Sequence, residues 1–126
     1  MSFKLHNGER LKSRKEIGRL FSRKSKSATS YPIRAVYGWA GEPRSEFPVQ
    51  VTFVVPKRRF KRAVDRNRIK RLMREAYRLH KDELALPQVP GDGEQLAVLF
   101  MYTGKEEMDF SYLERKMVKV LKGIKG

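Results

Sequence analysis

The amino-acid sequence predicts an α+β fold in which helices pack on a single sheet. Three observations carry that expectation. Two Ser-x-x-Glu patterns, Ser13 with Glu16 and Ser111 with Glu114, mark helix starts beside apolar residues at helical spacing. Three runs rich in β-branched and aromatic residues, 31–40, 48–55 and 96–102, are separated by stretches carrying Gly and Pro. Between the second and third runs lies a long amphipathic segment that is also the most basic part of the chain.

In chain order, Ser13 and Glu16 form a capping box: the hydroxyl accepts from the N–H of Glu16 while the carboxylate reaches back. The short helix that follows places Ile17, Leu20 and Phe21 on one side and Arg14, Lys15, Arg19 and Arg23 on the other. Residues 22–30 are rich in Ser and Lys and read as a solvated connection with room for one very short strand. Runs 31–40 and 48–55, joined by Gly41, Glu42, Pro43, Arg44 and Ser45, are expected to form an antiparallel hairpin. Run 96–102 follows a loop over 87–93. The capping box at Ser111 is expected to open a C-terminal helix whose buried face holds Leu113, Met117, Val120, Leu121 and Ile124. No repeat or long linker divides the chain, so residues 1–126 are expected to form one domain.

Charge decides the class of partner. Over 126 residues, 29 Lys and Arg oppose 14 Asp and Glu, a formal charge of +15. Such an excess attracts a polyanion: nucleic acid, an anionic membrane surface or an acidic protein. No apolar run reaches the roughly 18 residues of a membrane span, and the polar start lacks the apolar core of a signal peptide, so a cytoplasmic protein without a membrane partner is expected. The chain has no cysteine, which excludes disulfides, thiol nucleophiles and zinc-ribbon binding. His6 and His80 are far apart in sequence and give little support for metal or acid-base chemistry. No nucleophile–base pair and no acidic cluster suited to two-metal hydrolysis is visible; Asp65, Asp82, Glu83 and Asp92 read as capping or balancing charges. No catalytic side chain and no protein-bound metal is expected.

The segment 57–78 carries the sharpest signal. At 100° per residue Ile69, Leu72, Met73 and Ala76 share one face. Asn67, Lys70, Arg71, Arg74 and Arg78 lie roughly opposite, with Arg66 and Arg68 at the margins. The apolar stripe can dock on the sheet while the cations face outward as a row. Arginine suits such a row because its planar fork donates bidentately to phosphate and stacks on bases. A merely solvated helix would be the bland reading, but only Asp65 and Glu75 are available to balance the run.

The run Lys61, Arg62, Ala63, Val64, Asp65, Arg66, Asn67, Arg68, Ile69, Lys70, Arg71 resembles the signature of the bacterial ribonuclease P protein family. Arg10, Leu11 and Lys12 before a short helix, the strand ending Val54, Val55, Pro56, Lys57, Arg58, and the strand-loop-helix tail are similar to that family's order of elements, so the resemblance spans nearly the whole chain. It implies a two-layer α-β sandwich of order αβββαβα with the basic helix in a left-handed βαβ crossover, where general rules favour the right hand. It implies binding to the catalytic ribonuclease P RNA and to the 5′ leader of precursor tRNA, with the cut made by the RNA and Mg²⁺ held mainly by the RNA. No obligate protein partner is implied.

Carried over residue by residue, the resemblance assigns RNA binding to Lys57, Arg58, Arg62, Arg66, Asn67, Arg68, Lys70, Arg71 and Arg74. It assigns a leader cleft between the first helix and the sheet to Ile17, Phe21 and Tyr37, where single-stranded leader would stack and track cations. Ile17 stands where relatives often place phenylalanine, and Arg59 with Phe60 lengthens the link before the signature by one residue. Phe21 and Tyr37 each have a competing core reading, and Trp39 is assigned to packing. Two other functions remain in view: a ribosomal protein, which needs no substrate cleft, and a protein-only endoribonuclease, which would need carboxylate or histidine clusters that the chain lacks.

Overall fold

The computed structural model describes residues 5, 7–21, 25–39, 48–84 and 95–124. Its regular elements are α1 (Arg14–Arg19), β1 (Lys26–Ser30), β2 (Ile33–Trp39), β3 (Val49–Val54), α2 (Ala63–His80), β4 (Leu96–Tyr102) and α3 (Phe110–Gly123), with single 3₁₀ turns at Asn7–Glu9 and Lys81–Glu83. The order is αβββαβα, as expected. Links 40–47 and 85–94, with the turn chemistry of Gly41 to Ser45 and the loop over 87–93, lie outside the described residues, as does His6.

The strands lie in the order β1-β2-β4-β3. This corrects the expected hairpin between runs 31–40 and 48–55. β2 instead pairs antiparallel with β1 and β4, and β3 pairs parallel with β4. The reason lies in β4, Leu-Ala-Val-Leu-Phe-Met-Tyr, whose residues are buried on both faces except for half-buried Met101. A continuous apolar run of strand length belongs in the middle of a sheet, covered above and below. The sequence-local hairpin is β1–β2, which turns through a cis Tyr31–Pro32 bond.

Alternation along β4 divides the interior in two. Leu96, Val98, Phe100 and Tyr102 join Ile33, Ala35, Tyr37, Val49 and Val51 under α2 and α3 as the main core. Ala97 and Leu99 meet Val36, Leu11 and Leu20 on the opposite face, which α1 covers. Phe53 stacks on Phe100 at 5.4 Å and meets Tyr77 edge-on at 6.1 Å, fastening β3 to α2. Phe60, in the extended link, packs edge-on against Tyr102 at 5.8 Å.

The first capping box forms as expected, with Ser13 Oγ accepting from Glu16 N at 3.2 Å. The second does not start the C-terminal helix. Asp109 is the cap, accepting from Tyr112 N at 2.8 Å, and Ser111 lies inside the first turn. Starting two residues earlier brings Phe110 into the helix, where it packs on the main core. Glu114 is drawn instead to His80, 2.8 Å away on α2. In α2 the buried residues are Ile69, Met73, Ala76 and Tyr77, whereas Leu72 is only half-buried. Met73→Ala is therefore expected to cost about 2 to 5 kcal/mol through a cavity, and Leu72→Ala distinctly less. Urea unfolding of the two variants checks the order.

Candidate nucleic-acid interface

With its apolar stripe held on the sheet, α2 carries Asn67, Lys70, Arg71 and Arg74 outward. Together with Val64 and Arg68 they line a shallow, open concavity of about 530 Å³ along the helix. The row read from helical phase is thus brought together on one rigid element. Asn67, Arg68 and Arg71 are exposed, while Lys70 and Arg74 are half-buried where the helix meets the edge of β3. The guanidinium of Arg74 sits 6.0 Å above the Phe53 ring, which fixes its direction without neutralising it.

Arginines of the signature have partners within the protein, Arg66 and Arg68 foremost. Arg66 Nη1 donates to the carbonyls of Phe60 and Lys61, each at 2.8 Å. It thereby braces the link between β3 and α2, whose Phe60 is anchored on Tyr102. Arg68 Nη1 donates to both carboxylate oxygens of Glu107 at 3.2 Å and lies 3.9 Å from Asp65. Arg78, expected at the end of the outer row, is tied to Glu75 at 2.6 Å.

Before the helix, Lys57 and Arg58 are exposed on the turn after β3. Arg62 occupies the N-cap position without a capping hydrogen bond from its side chain and lies 3.6 Å from Asp65.

The structure adds two cations to the nine sequence-assigned RNA-binding residues. Arg10 forms a parallel bridge to Val51 on the outer edge of β3, and Leu11 N donates to Val51 O at 2.7 Å. With Lys12, Lys70 and Arg74, Arg10 lines a crevice floored by Val51, Thr52 and Phe53, so the basic surface continues from α2 onto the sheet edge. The signal was present in Arg10-Leu11-Lys12: a buried Leu between two exposed cations is strand alternation.

On the other side of the sheet, Ile17 packs half-buried against the smaller core and Phe21, just past α1, is 62% exposed. Phe21 thus has no core role in the described structure. Tyr37 is not with them. It is 4% exposed, opposite Val98, in the main core beneath α2 and α3. The side chain facing α1 at this point of β2 is Val36, because adjacent strand residues point to opposite faces and a slip of one residue exchanges them. A crevice of about 270 Å³ between α1 and the sheet is lined by Glu16, Arg19, Leu20, Ser25, Gly38, Trp39 and Ala97. Beyond it the same face carries exposed Ser27, Thr29 and Arg34.

The acidic groups near the α2 groove lie against arginines. Asp65 and Glu107 face Arg68 and Glu75 faces Arg78, and no cluster of three or more His, Asp or Glu is found among the described residues. No helix of the described residues is long and apolar enough to cross a membrane.

A ribonuclease P family model matches residues 5–125. The chain belongs to the ribonuclease P protein family. The ribonuclease P protein component of Porphyromonas gingivalis is 40% identical over 129 aligned residues, covering 99% of this chain and 89% of that protein. That of Chlorobaculum tepidum is 39% identical over 108 residues, covering 82% and 70%. The solved ribonuclease P protein of Thermotoga maritima shares the fold, with a TM-score of 0.70 at 23% identity over 94% of this chain and 99% of that one. The chain is accordingly a bacterial ribonuclease P protein component, part of the ribonucleoprotein that processes tRNA, and the ribosomal reading is set aside.

The different employment of the cations in α2 has a measurable consequence. Lys70→Ala and Arg71→Ala are expected to change stability by no more than about 0.5 kcal/mol while each lowers the salt slope of RNA binding by about one. Arg66→Ala removes two charge-assisted bonds to the link and is expected to cost about 1 to 3 kcal/mol of stability as well. Thermal unfolding and salt-dependent RNA affinity on the same variants separate the two roles.

Proposed function

We propose that this ribonuclease P protein binds the catalytic RNA and the 5′ leader of precursor tRNA and leaves phosphodiester cleavage to the RNA and its Mg²⁺. The observation that carries the reading is the row of Asn67, Lys70, Arg71 and Arg74, directed outward on a helix whose other side is locked in the core. Rigid cations at helical spacing suit a phosphate backbone, and their number makes binding salt-dependent through counterion release. Lys57, Arg58 and Arg62 extend the row toward its start, and Arg10 and Lys12 extend it across the edge of β3.

Precursor leader is assigned to the α1 side of the sheet. Phe21 offers an exposed ring for base stacking, Ile17 an apolar contact, and Arg19 and Arg34 cations beside the path. Tyr37 is withdrawn from that path by its burial on the other face. The protein's part in catalysis is positional: it holds substrate and catalytic RNA together, screens their mutual repulsion and so eases the demand for Mg²⁺. The carboxylates around α2 are committed to arginines, which supports assignment of Mg²⁺ to the RNA.

The test is cleavage of precursor tRNA across a Mg²⁺ series, with the RNA subunit present or absent. The protein alone is expected to cut nothing, and its addition to the RNA subunit to shift the Mg²⁺ midpoint downward. Cleavage by the protein without RNA would overturn the reading. Phe21→Ala is expected to weaken precursor tRNA selectively over mature tRNA by about 1 to 3 kcal/mol, the scale of one stacked base. Equal losses on both RNAs would remove Phe21 from the leader path.

A further inference from the structure

α3 carries a second basic stripe that the α2 interface does not include. Tyr112, Arg115, Lys116 and Lys119 are spaced i, i+3, i+4 and i+7, which places them on one face of the helix. Arg115 and Lys119 are exposed, while Tyr112 and Lys116 are half-buried where that face borders the buried stripe of Leu113, Met117, Val120 and Leu121. Arg115 and Lys116 both lie over the Tyr112 ring, at 5.6 and 5.1 Å from its centroid. Among the described residues no carboxylate pairs with Arg115, Lys116 or Lys119, and Glu114 on the same helix is turned to His80.

A tyrosine of the β1–β2 turn lies at the end of β4 that leads into α3. Tyr31, 52% exposed, leads into Pro32, whose carbonyl accepts from Thr103 N at 2.7 Å and Thr103 Oγ1 at 3.1 Å. Those bonds pin the β1–β2 turn to the end of β4. Gly104 closes the corner, since a Cβ there would come within 2.9 Å of the Tyr102 ring and 3.0 Å of Pro32. The exposed Tyr31 ring thus stands on a fixed turn, at the end of β4 that leads into α3.

We propose that Tyr31 and the α3 stripe of Tyr112, Arg115, Lys116 and Lys119 form a second RNA-binding face that takes a single-stranded segment. Bases stack on the tyrosines while the cations follow the backbone along the helix. Charge complementarity selects the occupant: the stripe is uniformly positive, and a sequence-tolerant π-face beside cations is the chemistry of single-strand binding. α3 packs over β1 and β2, whereas the α2 groove opens toward the edge of β3, so the two faces lie on opposite flanks of the helical layer. The protein would then engage two separate stretches of RNA. This inference rests on the chain being an RNA binder but not on α2 being the place where it binds.

The experiment measures binding of a fluorescent single-stranded uridine oligonucleotide of about ten nucleotides, within the length one small domain covers. Intact protein is compared with an Arg115→Gln, Lys116→Gln, Lys119→Gln variant, a Lys70→Ala, Arg71→Ala variant and their combination, with thermal unfolding as the folding control. The α3 variant is expected to lose about fivefold or more in affinity and to flatten the salt slope by about two, since each single-strand phosphate contact contributes about 0.7. The loss is expected to persist in the combined variant. Photocrosslinking of the same oligonucleotide carrying 5-iodouridine is expected to label Tyr31 or Tyr112. Unchanged affinity and slope in the folded α3 variant, or crosslinks confined to α1 and α2, would overturn the second face. Loss in the α3 variant with none in the α2 variant would uphold it and sink the α2 assignment instead.

Discussion

The fold depends on β4. Seven residues without a charge, buried on both faces, must lie between two strands and beneath cover on each side. Placing β3 parallel to β4 requires the chain to cross over the sheet, and α2 is that crossover, which is why the most basic helix also has one side fixed in the core. Cover on the two faces is unequal. α2 and α3 close one side, whereas the six residues of α1 shield only part of the other. The layer arrangement therefore produces both a rigid helical surface and a partly open sheet face.

Electrostatics then sorts the cations. A formal charge of +15 on 126 residues disfavours compaction through self-repulsion, and the arrangement of partners decides where the excess remains. Arg66 is used on backbone carbonyls, and Arg68 and Arg78 on carboxylates. What is left outward on α2 is Lys70, Arg71 and Arg74 with Asn67. A polyanion laid along that row would relieve the repulsion that the fold tolerates in isolation, so the same charges that oppose folding favour assembly.

Helical phase made most of α2 legible in advance, because a period of 3.6 separates inside from outside without knowledge of the partner. The Ser13 cap was legible for the same kind of reason, being a bond between residues three apart. Strand order was not, since β2 and β3 are near in sequence and the rule of local pairing favoured joining them. The uninterrupted apolar run of β4 was the contrary signal. Tyr37 shows how narrow the margin is: one residue along β2, Val36 faces α1, and only the register Tyr37↔Val98 and Val36↔Leu99 decides between core and cleft. The role of Arg66 lay beyond periodicity because its acceptors are carbonyls of an irregular link. The α3 stripe was readable from its spacing but was overshadowed by the denser run in α2.

The start of the described chain explains how the basic surface is kept continuous. Glu9 and Lys81, both largely buried, form an ion pair at 2.9 Å between the first 3₁₀ turn and the end of α2. Gln50 donates to Gly8 O at 3.0 Å, and Arg10 bridges to Val51. A buried ion pair is a weak source of net stability because desolvation offsets much of its attraction, but breaking it leaves an uncompensated charge, so it penalises any other docking of the segment. The ion pair and the sheet-edge bonds fix the segment from two directions, against α2 and against β3. Arg10 and Lys12 are thereby held beside Lys70 and Arg74. Cations placed in advance lose less conformational entropy when a phosphate backbone arrives, and the affinity gained comes from order already present in the free protein.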